Sequence, residues 1–445
     1  MTDTTIADAQ SPTTAAPAKL PPVVPVPMPV QGVGFAISRR WTMRQAARRY
    51  GRVFTMNVPV FGRLVVVADP QLVRNVFTAS TDDLINIQPN LSRVLGRGSV
   101  FALDRAEHRN RRKLLAPPFH GQSIKNYEKV IEEETLRESA GWPLGTEFRS
   151  LEPMNRITLN VILRTVFGAD GVELDYLRQM IPPWVKVGSR VATLPKPPWT
   201  FGRHSPWGRL AEAHRRFDDT VCTLIDKAEA DPHFDDRTDI LALLLRSTYE
   251  DGTSMSRQDI SDELLTLVGA GHETTASSLG WAFERLRRHP DIVAKLAAEA
   301  DTDDNELRQA TILEVQRART VIDFAGRHVA APVFELGEWR IPQHYSIVVS
   351  ISQLHDDPDV FPDPERFDPY RFVGNRPPTF AWVPFGGGTR RCVGAAFANT
   401  EMDVVLRTVL RHFRLDTDDA PDEKVHSRGV AYTPKAGGRI VVHRR

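Results

Sequence analysis

The feature that most limits how this chain can fold is a long helical stretch near its middle. It starts at Ser256, an N-cap candidate with Asp259 three residues on, and runs to Arg288, where His289–Pro290 stops it. At 1.5 Å per residue such a helix is about 48 Å long, enough to cross a whole domain. Most of the middle of the chain also reads as helix, and the strand signals are short. Val53–Val58 and Arg63–Val67, rich in β-branched residues, flank a turn at Pro59–Gly62 and predict a hairpin. Further strand signals lie at Val333–Phe334, Ile341 and Ser346–Ser352, before an irregular, Pro-rich loop over 355–385. A last helix follows Cys392, with Met402, Val405, Leu406, Val409, Leu410 and Phe413 on one stripe. Val430–Thr433 and Arg439–Val442 predict a closing hairpin that turns at Gly437–Gly438. The expected fold is mainly α with small peripheral β-sheets, in one large domain over residues 34–445.

Composition narrows the function. With 445 residues and 41% hydrophobic content the chain buries a sizeable core. Its 57 basic and 56 acidic side chains nearly cancel, so no global field points to nucleic acid or to an anionic membrane. Two cysteines, Cys222 and Cys392, form no disulfide framework and no zinc-like spacing, which fits a reducing, cytoplasmic location. Pro21, Pro22, Pro25, Pro27 and Pro29 interrupt the one apolar stretch near the start, so no membrane anchor is expected. Residues 1–33, rich in Ala, Thr and Pro, are expected to be a disordered tail.

Several segments carry chemistry. Phe385-Gly-Gly-Gly-Thr-Arg-Arg-Cys392-Val-Gly394 sets one cysteine after a glycine-rich turn and before a helix. Helix N-terminal amides favour the anionic thiolate, the form that binds metal. A buried structural cysteine beside a flexible turn is the blander alternative. The long helix contains Ala270-Gly271-His272-Glu273-Thr274-Thr275, a polar interruption of an otherwise apolar run. Glu314 and Arg317 place opposite charges three apart on one helix face, commonly just solvated decoration. Asp104 is a cap candidate for a short helix that carries His108 and Arg112 at i, i+4, donors that suit a carboxylate.

Phe385, Gly388, Arg390, Cys392 and Gly394 together fit the FxxGxRxCxG signature, and on this ground the chain resembles the cytochromes P-450, most of all the soluble bacterial type. The three other segments fall in the family's order. The resemblance implies a haem b with Cys392 as ligand to its iron. Its propionates would be bound by His108, Arg112 and Arg390, with Arg327 as a further contact. Gly271 would leave room over the iron, Thr274 would hydrogen-bond dioxygen or its ordered water, and Glu273 would connect to solvent protons. His272 projects about 100° away from its neighbour and has no expected role. Glu314, Arg317 and Arg366 would form a buried charge triad that fixes the segment carrying the cysteine. Thr320 stands where many relatives have proline, which loosens the turn leading to Val321–Phe324, expected substrate contacts along with Ile85–Gly98 and Val430–Thr433.

The resemblance implies a monooxygenase that inserts one oxygen atom from dioxygen into a mainly apolar small molecule. No flavin or iron–sulfur segment is visible in the chain, so electrons are expected from a separate ferredoxin and ferredoxin reductase. The alternatives are a peroxide-dependent haem-thiolate enzyme, against which Glu273–Thr274 argues, and a non-enzymatic haem-based ligand sensor, which normally carries an output domain. A stripe of Arg105, Arg109 and Lys113 beside the propionate pair is the expected docking face for an acidic donor.

Overall fold

The structure, a computed structural model, describes residues 19–87, 91–168, 171–192 and 202–445. Eight helices carry the argument: α1 (Met28–Tyr50), α2 (Pro70–Thr78), α3 (Arg105–Leu115), α4 (Leu151–Phe167), α5 (Val172–Val191), α6 (Arg257–Leu286), α7 (Glu306–Ala318) and α8 (Ala395–His412). The predicted long helix is α6, and Ser256 caps it as expected, its Oγ accepting from the Asp259 N–H at 3.1 Å. Leu264, Val268, Leu279, Trp281, Phe283 and Leu286 are fully buried on it. A helix covered on all sides belongs in the interior, and α4 packs along α6 more extensively than any other pair of elements. Its buried acids are matched by cations, Glu263 by Arg111 at 3.0 Å and Glu284 by Arg285.

One five-stranded sheet flanks the helices. Its strands β1 (Val53–Val58), β2 (Gly62–Val67), β3 (Leu84–Asn86), β4 (Phe324–Val329) and β5 (Ser346–Ser350) run in the order β1-β2-β5-β4-β3. β1 and β2 form the expected hairpin, Val53 facing Val67. β2 and β5 are parallel, Val65, Val66 and Val67 facing Ile347, Val348 and Val349, which joins two segments far apart along the chain. The pairing of Asn86 with Arg327 at the far edge brings a cation next to α3. The run expected as one strand to Ser352 ends at Ser350, and a short helix, Ile351–His355, takes over. The expected class, mainly α with small sheets, is the one observed.

Two further expectations need correction. The tail of residues 1–33 falls outside the described residues only up to 18; from 19 onward the chain is placed. Thr55 N–H donates to the Pro22 carbonyl at 2.7 Å, Val24 N–H donates to Thr55 at 2.9 Å, and the buried Gln31 accepts from Asn57 N–H at 3.0 Å. Proline lacks a donor but keeps its acceptor, so a Pro-rich segment can still lie along a sheet edge. The closing hairpin also fails to form. Tyr432–Pro434 pairs with Val425–Ser427, Arg439–Ile440 with Phe148–Arg149, and Val442–Arg444 with Phe413–Leu415. Gly437 and Gly438, at φ +87° and +64°, instead offer their carbonyls to the N–H groups of Leu151 and Ser150 at the start of α4, at 3.0 and 2.9 Å. Those helix-start donors have no partner within their own helix.

Candidate functional site

The cysteine loop is built by glycine. Gly386 and Gly388 both take positive φ, near +66°, and a Cβ on Gly388 would stand 2.1 Å from the Phe77 carbonyl oxygen of α2. Gly387 is equally tight against the Phe77 ring, so these glycines serve the packing of the loop on α2. The loop closes when Cys392 N–H donates to the Phe385 carbonyl at 3.0 Å, and α8 begins just beyond, at Ala395. Cys392 lies among dense protein yet retains exposed surface. Burial pushes its thiol up, against the pull of the Gly394 N–H and of Arg112 and Arg391. The helix start and two cations therefore do not outweigh desolvation; a metal cation at Sγ would supply what is missing.

Beside the cysteine lies a crowd of cations. His108 and Arg112 point the same way from α3, as their spacing predicts. Burial, then Arg390, Arg112 and Arg327, holds the His108 ring neutral down to about 3. Arg327 is buried against the Gly387 carbonyl at 2.9 Å, and burial together with Arg390 brings it down to about 10. Asp104 does not cap α3 by its side chain; its carboxylate accepts from Asn86 N–H at 2.9 Å and from Arg390. Arg390 and Arg327 thus share one carboxylate, and Arg112 donates to the Arg391 carbonyl nearby, a cationic surplus suited to a dianionic group. Thiol, cation cluster and glycine-built loop are the donor set that a haem with its propionates needs.

Beyond its first turn α6 is largely buried, yet Ala270, Gly271, Thr274 and Ser278 keep partial exposure and share one face. Thr274 Oγ1 donates to the Ala270 carbonyl at 2.8 Å, and a Cβ on Gly271 would make only ordinary contact with Ile162. Glu273 faces elsewhere: burial raises its carboxyl above the ordinary range, and Arg428 sits 3.5 Å away. His272 is satisfied within its own helix, its ring 2.8 Å from the Val268 carbonyl. Sequence reasoning missed Glu401. This residue of α8 is buried, hydrogen-bonded to Thr275, and held well above the ordinary carboxylate range by desolvation, with Oε1 unpartnered among the described residues. The available signal was an acid next to Met402 on the apolar stripe.

Of the expected triad, two members hold. Glu314 and Arg317 are fully buried and doubly hydrogen-bonded at 2.7 Å. The third is not Arg366, whose side chain is 70% exposed and 4.0 Å from Asp368. Arg371, 14% exposed and 3.5 Å from Glu314, takes that place, while Arg366 contributes only its carbonyl to Arg317. Pro-Glu-Arg366-Phe is followed five residues later by Tyr-Arg371-Phe, so the motif alone left two arginines to choose from. Arg317 also donates to the His355 carbonyl at 2.9 Å, and His355 Nε2 accepts from Val383 N–H at 3.0 Å, two residues before Phe385. Thr320 compensates for the missing proline by donating from Oγ1 to the Ile322 carbonyl at 3.0 Å. Among Val321–Phe324, Asp323 is spent on a buried pair with Arg39 at 2.9 Å. Part of the Ile85–Gly98 segment, residues 88–90, lies outside the described residues.

Glu314→Ala or Arg317→Ala should therefore destabilise the protein by about 3–5 kcal/mol in denaturant unfolding, since each strands a buried charge. Arg371→Ala should also destabilise, whereas Arg366→Ala should cost less than about 1 kcal/mol, as exposed pairs do. A larger loss for Arg366→Ala than for Arg371→Ala would contradict the placement.

Comparison with known proteins agrees with this geometry. The cytochrome P450 family profile matches residues 21–439. Cytochrome P450 138 of Mycobacterium tuberculosis is 64% identical over 97% of this chain and 99% of its own length. Cytochrome P450 135B1 of the same species is 39% identical, over 89% of this chain and 85% of its own. Among solved structures, the retinoic acid bound cyanobacterial CYP120A1 superposes with a TM-score of 0.84 at 23% identity, covering 96% of this chain and 100% of that one. The heme domain of cytochrome P450DA gives 0.81 at 21%, covering 96% and 98%. The signature around Cys392, the fold and these relatives agree: the chain belongs to the cytochrome P450 family of haem-thiolate monooxygenases.

Proposed function

We propose that Cys392 would hold the iron of a haem b and that the chain inserts one oxygen atom from dioxygen into a mainly apolar small organic molecule, with electrons from a separate ferredoxin and its reductase. The observation that carries this reading is the position of Arg112, which donates to the Arg391 carbonyl next to Cys392 and stands one turn from His108 on α3, beside Arg390 and Arg327. Thiolate and carboxylate-binding cations side by side match a flat cofactor with a metal centre and an acidic edge. When bound, that cofactor supplies the redox and oxygen chemistry, thiolate ligation being a known property of the family. Cytoplasmic residence belongs to the same proposal and rests on two unpaired cysteines; fractionation of the source cell checks it. Among the described residues no helix is long and apolar enough to cross a membrane.

The chain's own residues would manage protons. Thr274 satisfies its donor within α6, which leaves its oxygen lone pairs facing the exposed stripe. Glu273, held above the ordinary carboxylate range by burial, exchanges a proton between an adjacent face of α6 and the segment containing Thr274. Proton delivery by fixed groups suits a site that otherwise excludes water.

The stripe proposed for the electron donor is exposed on α3. Arg105 lies 3.6 Å from Asp82, Arg109 donates to Thr81 Oγ1 at 2.6 Å, and Lys113 pairs with Glu250 at 2.6 Å. Surface pairs of this kind are weak, so an acidic partner can replace them.

Three outcomes follow. Cys392→Ser should abolish the red-shifted Soret band of the reduced carbon monoxide complex, while Cys222→Ser leaves it; loss of the band in the second variant would refute the ligand assignment. Thr274→Ala should keep consuming nicotinamide cofactor through the redox partners while peroxide rises and product falls; unchanged coupling with an accepted substrate would remove Thr274 from the mechanism. Reduction by an acidic ferredoxin should slow with salt, as the Debye length falls from about 10 Å at 0.1 M to about 3 Å at 1 M. Arg109→Glu with Lys113→Glu should start slower and respond less to salt. Equal rates and salt slopes would place the donor elsewhere.

A further inference from the structure

About a quarter-turn around α6 from the Thr274 stripe lies a cavity of about 250 Å³, walled by the start of α4, the end of α5, Glu273, and the segment 426–437. Its lining is strongly basic. Arg149, Lys186, Arg190, Arg428 and Lys435 face two carboxylates, Glu152 and Glu273. The whole chain carries a formal charge of only +1, so this concentration is local. Among the described residues, Arg149, Lys186 and Lys435 form no ion pair, and the contact of Arg428 with Glu273, at 3.5 Å, is a loose one. Elsewhere among the described residues, Arg156 is matched closely by Glu138 and Arg287 by Asp418 and Glu147.

Cations gathered around one concavity repel each other, and that repulsion is relieved when an anion enters. Guanidinium forks and ammonium groups arriving from three chain segments suit oxygens carrying several charges, the phosphate pattern above all. We propose that this cavity is a binding site for a small, soluble, multiply charged oxyanion of the phosphate type, separate from the haem-thiolate site. Arg428 is the shared element. An oxyanion in the cavity competes with Glu273 for it, so occupancy changes the partner of the one α6 carboxyl that opens onto this side. The site itself stands whether or not Glu273 handles protons.

The test is calorimetric titration of the haem-loaded enzyme with inorganic pyrophosphate, at ionic strength held constant with chloride. Saturable binding at one site per chain is expected. Arg149→Glu with Lys435→Glu should weaken it by at least about tenfold while the melting temperature holds, because two attractive contacts become repulsive. Glu273→Gln should tighten it severalfold by removing the competing carboxylate, and Lys113→Glu, on the distant α3 stripe, should leave it unchanged. Absence of saturable binding overturns the proposal. So do equal affinity in the doubly reversed variant, equal weakening by Lys113→Glu, and binding to phosphatidic acid vesicles in place of pyrophosphate, which would make this face a membrane contact.

Discussion

The structure depends most on one buried ion pair. Glu314 and Arg317 have no contact with solvent, and removing two charges from water costs more than their mutual attraction returns unless further hydrogen bonds complete the geometry. Here they do. Glu314 accepts from Asp368 N–H and faces Arg371, while Arg317 donates to the carbonyls of His355 and Arg366. The pair therefore collects an irregular stretch that has little regular hydrogen bonding of its own. Through His355 and Val383 the same network reaches the residues that open the cysteine loop. The backbone that carries Cys392 is fixed in this way, by anchoring an irregular stretch to the buried face of α7.

A second constraint is the angular period of α6. Neighbouring residues on a helix point about 100° apart, so Glu273 and Thr274 cannot serve the same side. Thr274 belongs to the face that keeps some exposure within the core, and Glu273 to the basic cavity with Arg428. One helix thereby separates two environments, and a carboxyl raised by burial sits at the boundary between them. Glu401 adds a second buried carboxyl at the contact of α8 with Thr275.

Local pattern failed wherever the competing partner was distant in sequence. The Gly437–Gly438 turn has good hairpin chemistry, but the unpaired N–H groups at the start of α4 captured its carbonyls. Asp104 has good capping chemistry, but Arg390 and the Asn86 N–H captured its carboxylate. The prolines after residue 20 argued for disorder, yet the edge of β1 needed acceptors and Pro22 supplies one.

The sequence by itself determined the elements whose signal is local and periodic: α6 with its Ser256 cap, the β1–β2 hairpin, the apolar stripe of α8, and the glycine-rich loop ending at Cys392. Spacing was also enough to bring His108 and Arg112 to one side of α3, because i and i+4 share a face on any helix. Only the tertiary structure decided between Arg366 and Arg371, revealed Glu401 as a buried carboxyl, and assembled the basic cavity from four separate segments. These outcomes turn on burial and on charges brought together from far along the chain. Their energies depend on desolvation and on distance in space, and neither quantity is written in the order of the residues.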